Sequence, residues 1–253
     1  MAEVAFKIEE KQAVIIPFTK GKEIKYTKDG KIKLTHPNKV AGKSSLVKPI
    51  KDREKLKEYI NYFKEQVNDA SGNDKMYAQR NYTMVLFGLC SGLRISDIVS
   101  RKWEDVMYPD GEYREIIRVQ EQKTKKYRDF FLGDLLKMSL DDYRKSITKE
   151  YNLSDYIFFT RQSDHMTIQG AYNIIKQAAK ACGIKENIGT HSLRKTFGYT
   201  SMKTHEDDAM FLATLMRLYG HSSEAVTLRY CGIDEDESKQ LYSDIGNSFS
   251  ELI

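Results

Sequence analysis

The feature that most constrains the fold is a switch of hydrophobic period near residue 50. Before it, "EIKYTKDGKIKLT" (Glu23 to Thr35) alternates apolar and polar residues around Asp29-Gly30. Both central positions of a two-residue hairpin turn need positive φ, so this dipeptide signals a hairpin. "AVIIPF" reads as a further strand, with Pro17 confining it to an edge or an end. Residues 36–49, "HPNKVAGKSSLVKP", carry Pro, Gly and Ser but no period, and read as a linker. From Ile50 onward the period is helical. "DREKLKEYINYFKEQV" places Leu56, Tyr59, Ile60, Phe63 and Val67 on one face, behind Asp52 as N-cap.

The rest of the chain follows the second pattern. "YAQRNYTMVLFGLCSG" reads as a buried helix ending at Gly92. "RISDIVSRKWEDV" reads as one further helix with Ser96 or Asp97 in its first turn. A "PDG" turn at 109–111 precedes two strands, "EYREIIRVQEQ" and "YRDFFLG", joined across the lysine-rich "KTKK". Helices are expected near 134–149, 167–182, 191–204, 207–219 and 223–230, and an amphipathic tail helix over 236–250. The expected class is mainly α with a small antiparallel β-sheet (α+β). A basic, β-like segment 1–45 precedes a larger domain, 46–253.

Charge separates these parts. The chain of 253 residues has a formal net charge of +5. Residues 1–50 hold eleven lysines against five acids, a net of +6, which leaves −1 for the remainder. A basic segment on a near-neutral body suits a polyanionic partner, and equally a solvated tail. Cys90, Cys182 and Cys231 show neither metal nor disulfide spacing, which fits a reducing, cytoplasmic setting. The N-terminus has no apolar signal core, and the longest apolar run, Tyr82 to Leu93, is too short to span a bilayer, so no membrane is expected.

Four short stretches carry chemistry. In "GTHSLRKTFGYT", His191 and Arg194 share a helix face and can clamp a phosphate, although such pairs are common on surfaces. In "LCSGLRISD", Arg94 follows a buried helix and needs a partner: Asp97, backbone carbonyls or a bound anion. In "QKTKK", Lys123 sits on a hairpin tip, where a lysine is usually solvated but can reach a nucleic-acid groove and protonate a leaving oxygen. In "LMRLYGHSSEAVTLRYCGI", Gly220 ends a helix in a left-handed cap and His221 follows it. Ser222 or Ser223 then caps a short helix holding Tyr230. A phenol with pKa near 10 attacks phosphorus only when cationic groups stabilise the phenolate and the phosphorane.

In this order and spacing the residues resemble the catalytic signature of the tyrosine recombinases, the phage integrase family. "GLRISDIVSRKWEDV" is similar to the family's first box, with Arg94 and its acidic neighbour Asp97. "THSLRKTFGY" and "LYGHSSEAVTLRY" are similar to the second, with His191, Arg194, His221 and Tyr230; Lys123 matches the hairpin lysine. The similarity covers about residues 50–245. It implies the tyrosine recombinase catalytic fold, no metal and no cofactor, and double-stranded DNA as partner. It further implies a homotetramer on DNA, with accessory DNA-bending proteins and a place in the nucleoid when bound. Tyr230 would attack the scissile phosphate and form a 3′-phosphotyrosyl link. Arg94 and Arg194 would clamp the non-bridging oxygens, joined by a hydrogen bond from His221. His191 would serve as base and Lys123 as acid, Asp97 would orient a neighbouring group, and Lys125 and Lys126 would contact DNA. Leu241, Ile245 and Phe249 form one stripe on the tail helix, which either packs on its own domain or exchanges between subunits.

Two departures from the family pattern stand out. About 45 β-like residues precede the catalytic part, where family members usually carry a helical core-binding domain, so the sequence reads as either a minimal enzyme or a fragment; "KTHEDDAMF" lengthens the stretch between Arg194 and His221. Type IB topoisomerases and telomere resolvases share the chemistry and are the first rival reading. A non-catalytic DNA-binding regulator is the second, but it requires a lost catalytic group, and all are present.

Overall fold

A computed structural model describes residues 46–122, 125–205 and 208–250. The hairpin and strand expected within 1–45 lie outside the described residues. Residues 46–253 form one compact unit.

Helix α1 (Arg53–Asp69) starts at the expected cap: the Asp52 carboxylate accepts from the Lys55 amide at 2.9 Å. The central helix, α2 (Gly72–Ser91), is exposed and polar in its first turn and buried on every side from Thr83 to Gly88. It packs on α1, on α5 (Asp134–Ser146) and on α7 (Thr190–Thr204). Gly88 lets α7 approach, since a Cβ there would lie 2.7 Å from the Leu193 side chain. The α2–α5 seam is partly polar, with the Thr83 hydroxyl 3.0 Å from the Ser139 carbonyl. Trp103, Phe87, Tyr143 and Phe158 fill the main core.

The stretch 94–106 forms two short helices, α3 (Ile95–Val99) and α4 (Trp103–Val106), where the sequence reads as one. The break is imposed from a distance. Lys102 bridges Tyr156 in antiparallel fashion, and the Arg101 carbonyl accepts from the Ile157 amide at 2.8 Å. A backbone paired with 156–157 cannot continue the helical ladder.

Strands β1 (Ile116–Gln120) and β2 (Tyr127–Phe131) pair antiparallel, Val119 facing Arg128. They are shorter than the sequence suggests, and Tyr113 joins only an isolated bridge to Met107. Their alternation buries Ile117, Val119, Arg128 and Phe130. The unit is completed by α6 (Ile168–Ala181), α8 (Ala209–Tyr219), α9 (Glu224–Cys231) and α10 (Ile233–Ser250). Glycines at φ +67 and +82 close α8 and α9, as Gly220 and Gly232.

A second, smaller apolar cluster joins α7, α8 and α9. Leu215, Tyr219, Cys231 and Ile233 are its buried members, with Phe197, Leu228 and Tyr230 packed around them. Gly198 is its tight point: a Cβ there would lie 2.6 Å from both Cys231 Sγ and Tyr219 Oη. Gly198→Ala is expected to destabilise the protein by about 1–3 kcal/mol through overpacking, read as a lowered denaturation midpoint. Leu241, Ile245 and Phe249 lie exposed on α10. Among the described residues no helix is long and apolar enough to cross a membrane.

Candidate active site

The site is built on the C-terminal end of α2. The last carbonyls of a helix have no partner within it and carry the negative end of its dipole. Here two arginines supply partners. Arg194 of α7 donates from Nη1 to the Gly92 carbonyl at 2.7 Å. Arg128 of β2 donates to the same carbonyl at 3.2 Å and to that of Ser91 at 2.9 Å. Gly92 makes the turn possible at φ +58, and a Cβ there would strike the Phe197 ring at 2.4 Å.

Two residues on, Arg94 opens α3. Its Nη1 is 2.6 Å from Glu121 Oε2 and 4.0 Å from Asp97 Oδ2. The nearer partner is therefore Glu121, which sequence reasoning missed. Asp97 is fully buried and turns instead to the hairpin, where its Oδ1 accepts from the Gln122 amide at 2.9 Å. Three buried or half-buried guanidiniums, Arg94, Arg128 and Arg194, thus face two carboxylates, Asp97 and Glu121, a net of one positive charge. A charge surplus inside a fold is costly unless an anion can reach it.

Tyr219 links Arg194 to the nucleophile candidate. Its hydroxyl donates to the Arg194 carbonyl at 2.6 Å, and the Arg194 guanidinium lies 4.3 Å from its ring centre. The Tyr230 ring meets Tyr219 and His221 edge-on, at centroid distances of 5.2 and 5.1 Å. Lys195 Nζ lies 4.8 Å from the Tyr230 ring centre. His221 is held through Nδ1, 3.0 Å from the Thr227 hydroxyl, one turn before Tyr230 on α9. Ser223 caps that helix, accepting from the Val226 amide at 3.4 Å, which chooses between the two serines weighed from sequence.

Burial raises the Tyr230 pKa, while hydrogen bonding and charge from Arg194, with a smaller contribution from Arg94, pull it back. Burial lowers Arg128 to about 10, aided by repulsion from Arg194. Burial, then Arg194 and Arg94, lowers His221 below its ordinary 6.5. The unfolded chain therefore takes up this proton more readily than the folded one. Its contribution to stability is complete above about pH 6.5 and is lost as pH falls through the folded value. Between about pH 7.5 and 5.5 the wild type is expected to lose more stability in urea than His221→Gln, because only the wild type carries this group. Equal losses in the two proteins would refute it.

Arg94, Arg194, His221 and Tyr230, drawn from three separate stretches, are brought together. Lys123 lies outside the described residues. Lys125, at φ +58, and Lys126 are exposed on the β1–β2 turn. His191 is exposed on the first turn of α7, one turn before Arg194. The signal for Arg128 was present in the sequence: an arginine on the inward register of an alternating strand. Glu121 carried the same signal, on the inward register of Ile117 and Val119, whereas Tyr219, Thr227 and Lys195 carried none comparable.

The fold and the cation-lined phenol together define the class: a catalytic domain of the tyrosine recombinase type. Residues 61–237 match the sequence profile of the "Phage integrase family". The chain is 36% identical over 202 residues to the probable integrase/recombinase YoeC of Bacillus subtilis, covering 79% of this chain and 98% of that protein. It is 26% identical over 190 residues to the tyrosine recombinase XerC of Pediococcus pentosaceus, covering 72% of this chain but 58% of that protein. The chain thus spans a little over half of such Xer relatives. In fold it is similar to the XerA recombinase (TM-score 0.57, 18% identity, 81% of this chain and 66% of that one). It is also similar to the XerH recombinase bound to its difH substrate after cleavage (TM-score 0.59, 17% identity, 86% and 58%). The chain belongs to the phage integrase family.

Proposed function

We propose that this chain binds duplex DNA and exchanges its strands through Tyr230. Tyr230 Oη bonds to the scissile phosphorus, and the bond from phosphorus to the 5′ oxygen breaks. His191 takes the phenolic proton, and Lys123 gives one to the departing 5′ oxygen, which leaves as a hydroxyl. Arg94 and Arg194 hold the non-bridging oxygens, with a hydrogen bond from His221. The 3′-phosphotyrosyl link keeps the energy of the broken bond, so the 5′ hydroxyl of another strand reseals it. Asp97 acts by fixing the hairpin at Gln122, and Lys125 and Lys126 contact the DNA backbone.

The observation that carries this reading is the set of contacts that gathers Arg194, His221 and Tyr230 around the Tyr219 ring, at 4.3, 5.4 and 5.2 Å. The raised Tyr230 pKa accords with a separate base. The likeness to a recombinase solved with its DNA substrate supports duplex DNA as the partner. The assembly we propose is a homotetramer on DNA, aided by DNA-bending proteins and residing in the nucleoid. Residues 1–45 would serve as a basic arm and 46–253 as the catalytic domain.

The test starts from a random duplex pool selected on Tyr230→Phe. The recovered duplex, nicked so that the cleaved segment diffuses away, is then given to the wild type. A covalent adduct at the 3′ side of the break supports the proposal; a 5′ adduct, or none, rejects it.

A further inference from the structure

Glu121 was absent from the sequence reading, yet it makes the closest ionic contact to Arg94. Its Oε2 lies 2.6 Å from Arg94 Nη1, and Glu121 is only 6% exposed. The next carboxylate, Asp97, is 4.0 Å from the same nitrogen. By inverse distance the Glu121 attraction is about one and a half times larger. The contact is an ion pair and not an aligned hydrogen bond.

Its location decides what it does. Nη1 is buried and faces inward, while the Arg94 side chain keeps 17% of its exposure. A carboxylate on the outer nitrogens would compete with a phosphate. On the inner one it fixes the guanidinium fork and leaves the outer edge to the ligand. Glu121 is itself fixed by its backbone: its amide donates to the Lys126 carbonyl, and its carbonyl accepts from the Lys125 amide, both at 2.9 Å. The adjoining Gln122 amide is held by Asp97. Glu121 therefore joins Arg94 to the base of the β1–β2 turn.

We propose that Glu121 is a positioning residue for strand cleavage, anchoring the inner nitrogen of Arg94 so that its outer edge meets the scissile phosphate. The proposal rests on the recombinase reading above. A methylphosphonate at the scissile position supplies the test, because replacing a charged oxygen by methyl removes most of the need for an aligned cation. With the recovered duplex, Glu121→Gln is expected to slow adduct formation about tenfold or more. Duplex affinity should stay near wild type, while the thermal midpoint falls, because Gln leaves the buried Arg94 nitrogen without its charge partner. On the methylphosphonate duplex the deficit should shrink to about threefold or less, since the lost interaction has no charged oxygen to act on.

Wild-type speed in Glu121→Gln, or an equal deficit on both duplexes, overturns the proposal. Should the Gln variant fail to fold, Glu121→Asp, which keeps the charge but withdraws it, is judged by the same two duplexes. A second arm needs no DNA: nitrogen-15 spectra of the Arg94 guanidinium. Slow Nη rotation in the wild type and faster rotation in Glu121→Gln are expected; identical rotation overturns the anchor. A wild type that forms no adduct while the spectra differ rejects the recombinase reading and leaves the Arg94–Glu121 contact established.

Discussion

Tyr230→Phe is expected to bind its duplex as tightly as the wild type and to leave no protein–DNA band on a denaturing gel. This is the largest effect expected of any single substitution, because it removes the one atom that bonds to phosphorus. The phenyl ring keeps its place: its edge contacts with Tyr219 and His221, at 5.2 and 5.1 Å, do not involve the hydroxyl. Folding should be nearly untouched, so lost chemistry cannot be blamed on lost structure. A covalent band from this variant would disprove the nucleophile assignment. It would point to another hydroxyl, such as that of Tyr219, whose ring meets Tyr230 at 5.2 Å.

Arg194→Lys is expected to lower cleavage by about a hundredfold or more, the range seen when one preorganised donor to a developing anion is removed. Unlike the tyrosine variant, it should also lose stability. Arg194 is 2% exposed, donates to the Gly92 carbonyl at 2.7 Å and covers the Tyr219 ring at 4.3 Å. A lysine keeps the charge but cannot fork between a carbonyl, a ring and a phosphate. The buried Gly92 carbonyl would retain Arg128 as a donor, so the loss should be about 1–3 kcal/mol rather than complete unfolding. Stopped-time cleavage assays and urea titrations read the two effects separately. Near-normal cleavage would show that Arg194 has a purely structural task.

The helical period made most of the body legible, because α1, α2, α6 and α8 are amphipathic or buried for reasons written in their own residues. Turn chemistry was legible for the same reason: Gly92, Gly220 and the Asp52 cap act locally. Contacts set by distant pairing were not. Nothing between Arg94 and Val106 announces that 101–102 will pair with 156–157 and split the helix. The family likeness named Arg94 and Asp97 as neighbours, but the short distance goes to Glu121, across a separate element. Arg128 was readable in hindsight from strand alternation, since only the inward register makes a charged side chain unusual.

Tyr230 belongs to the minor apolar cluster of α7–α9 and not to the large core that α2 organises. The reactive phenol is therefore lodged in a small annex, joined to the main body through α7, which carries Arg194 and packs on α2. Evolution can refill the large interior with other hydrophobic residues without disturbing the hydroxyl's aim, whereas a single methyl group added inside the annex is felt at once. Sequence drift and chemical fidelity are governed in separate compartments of the same chain.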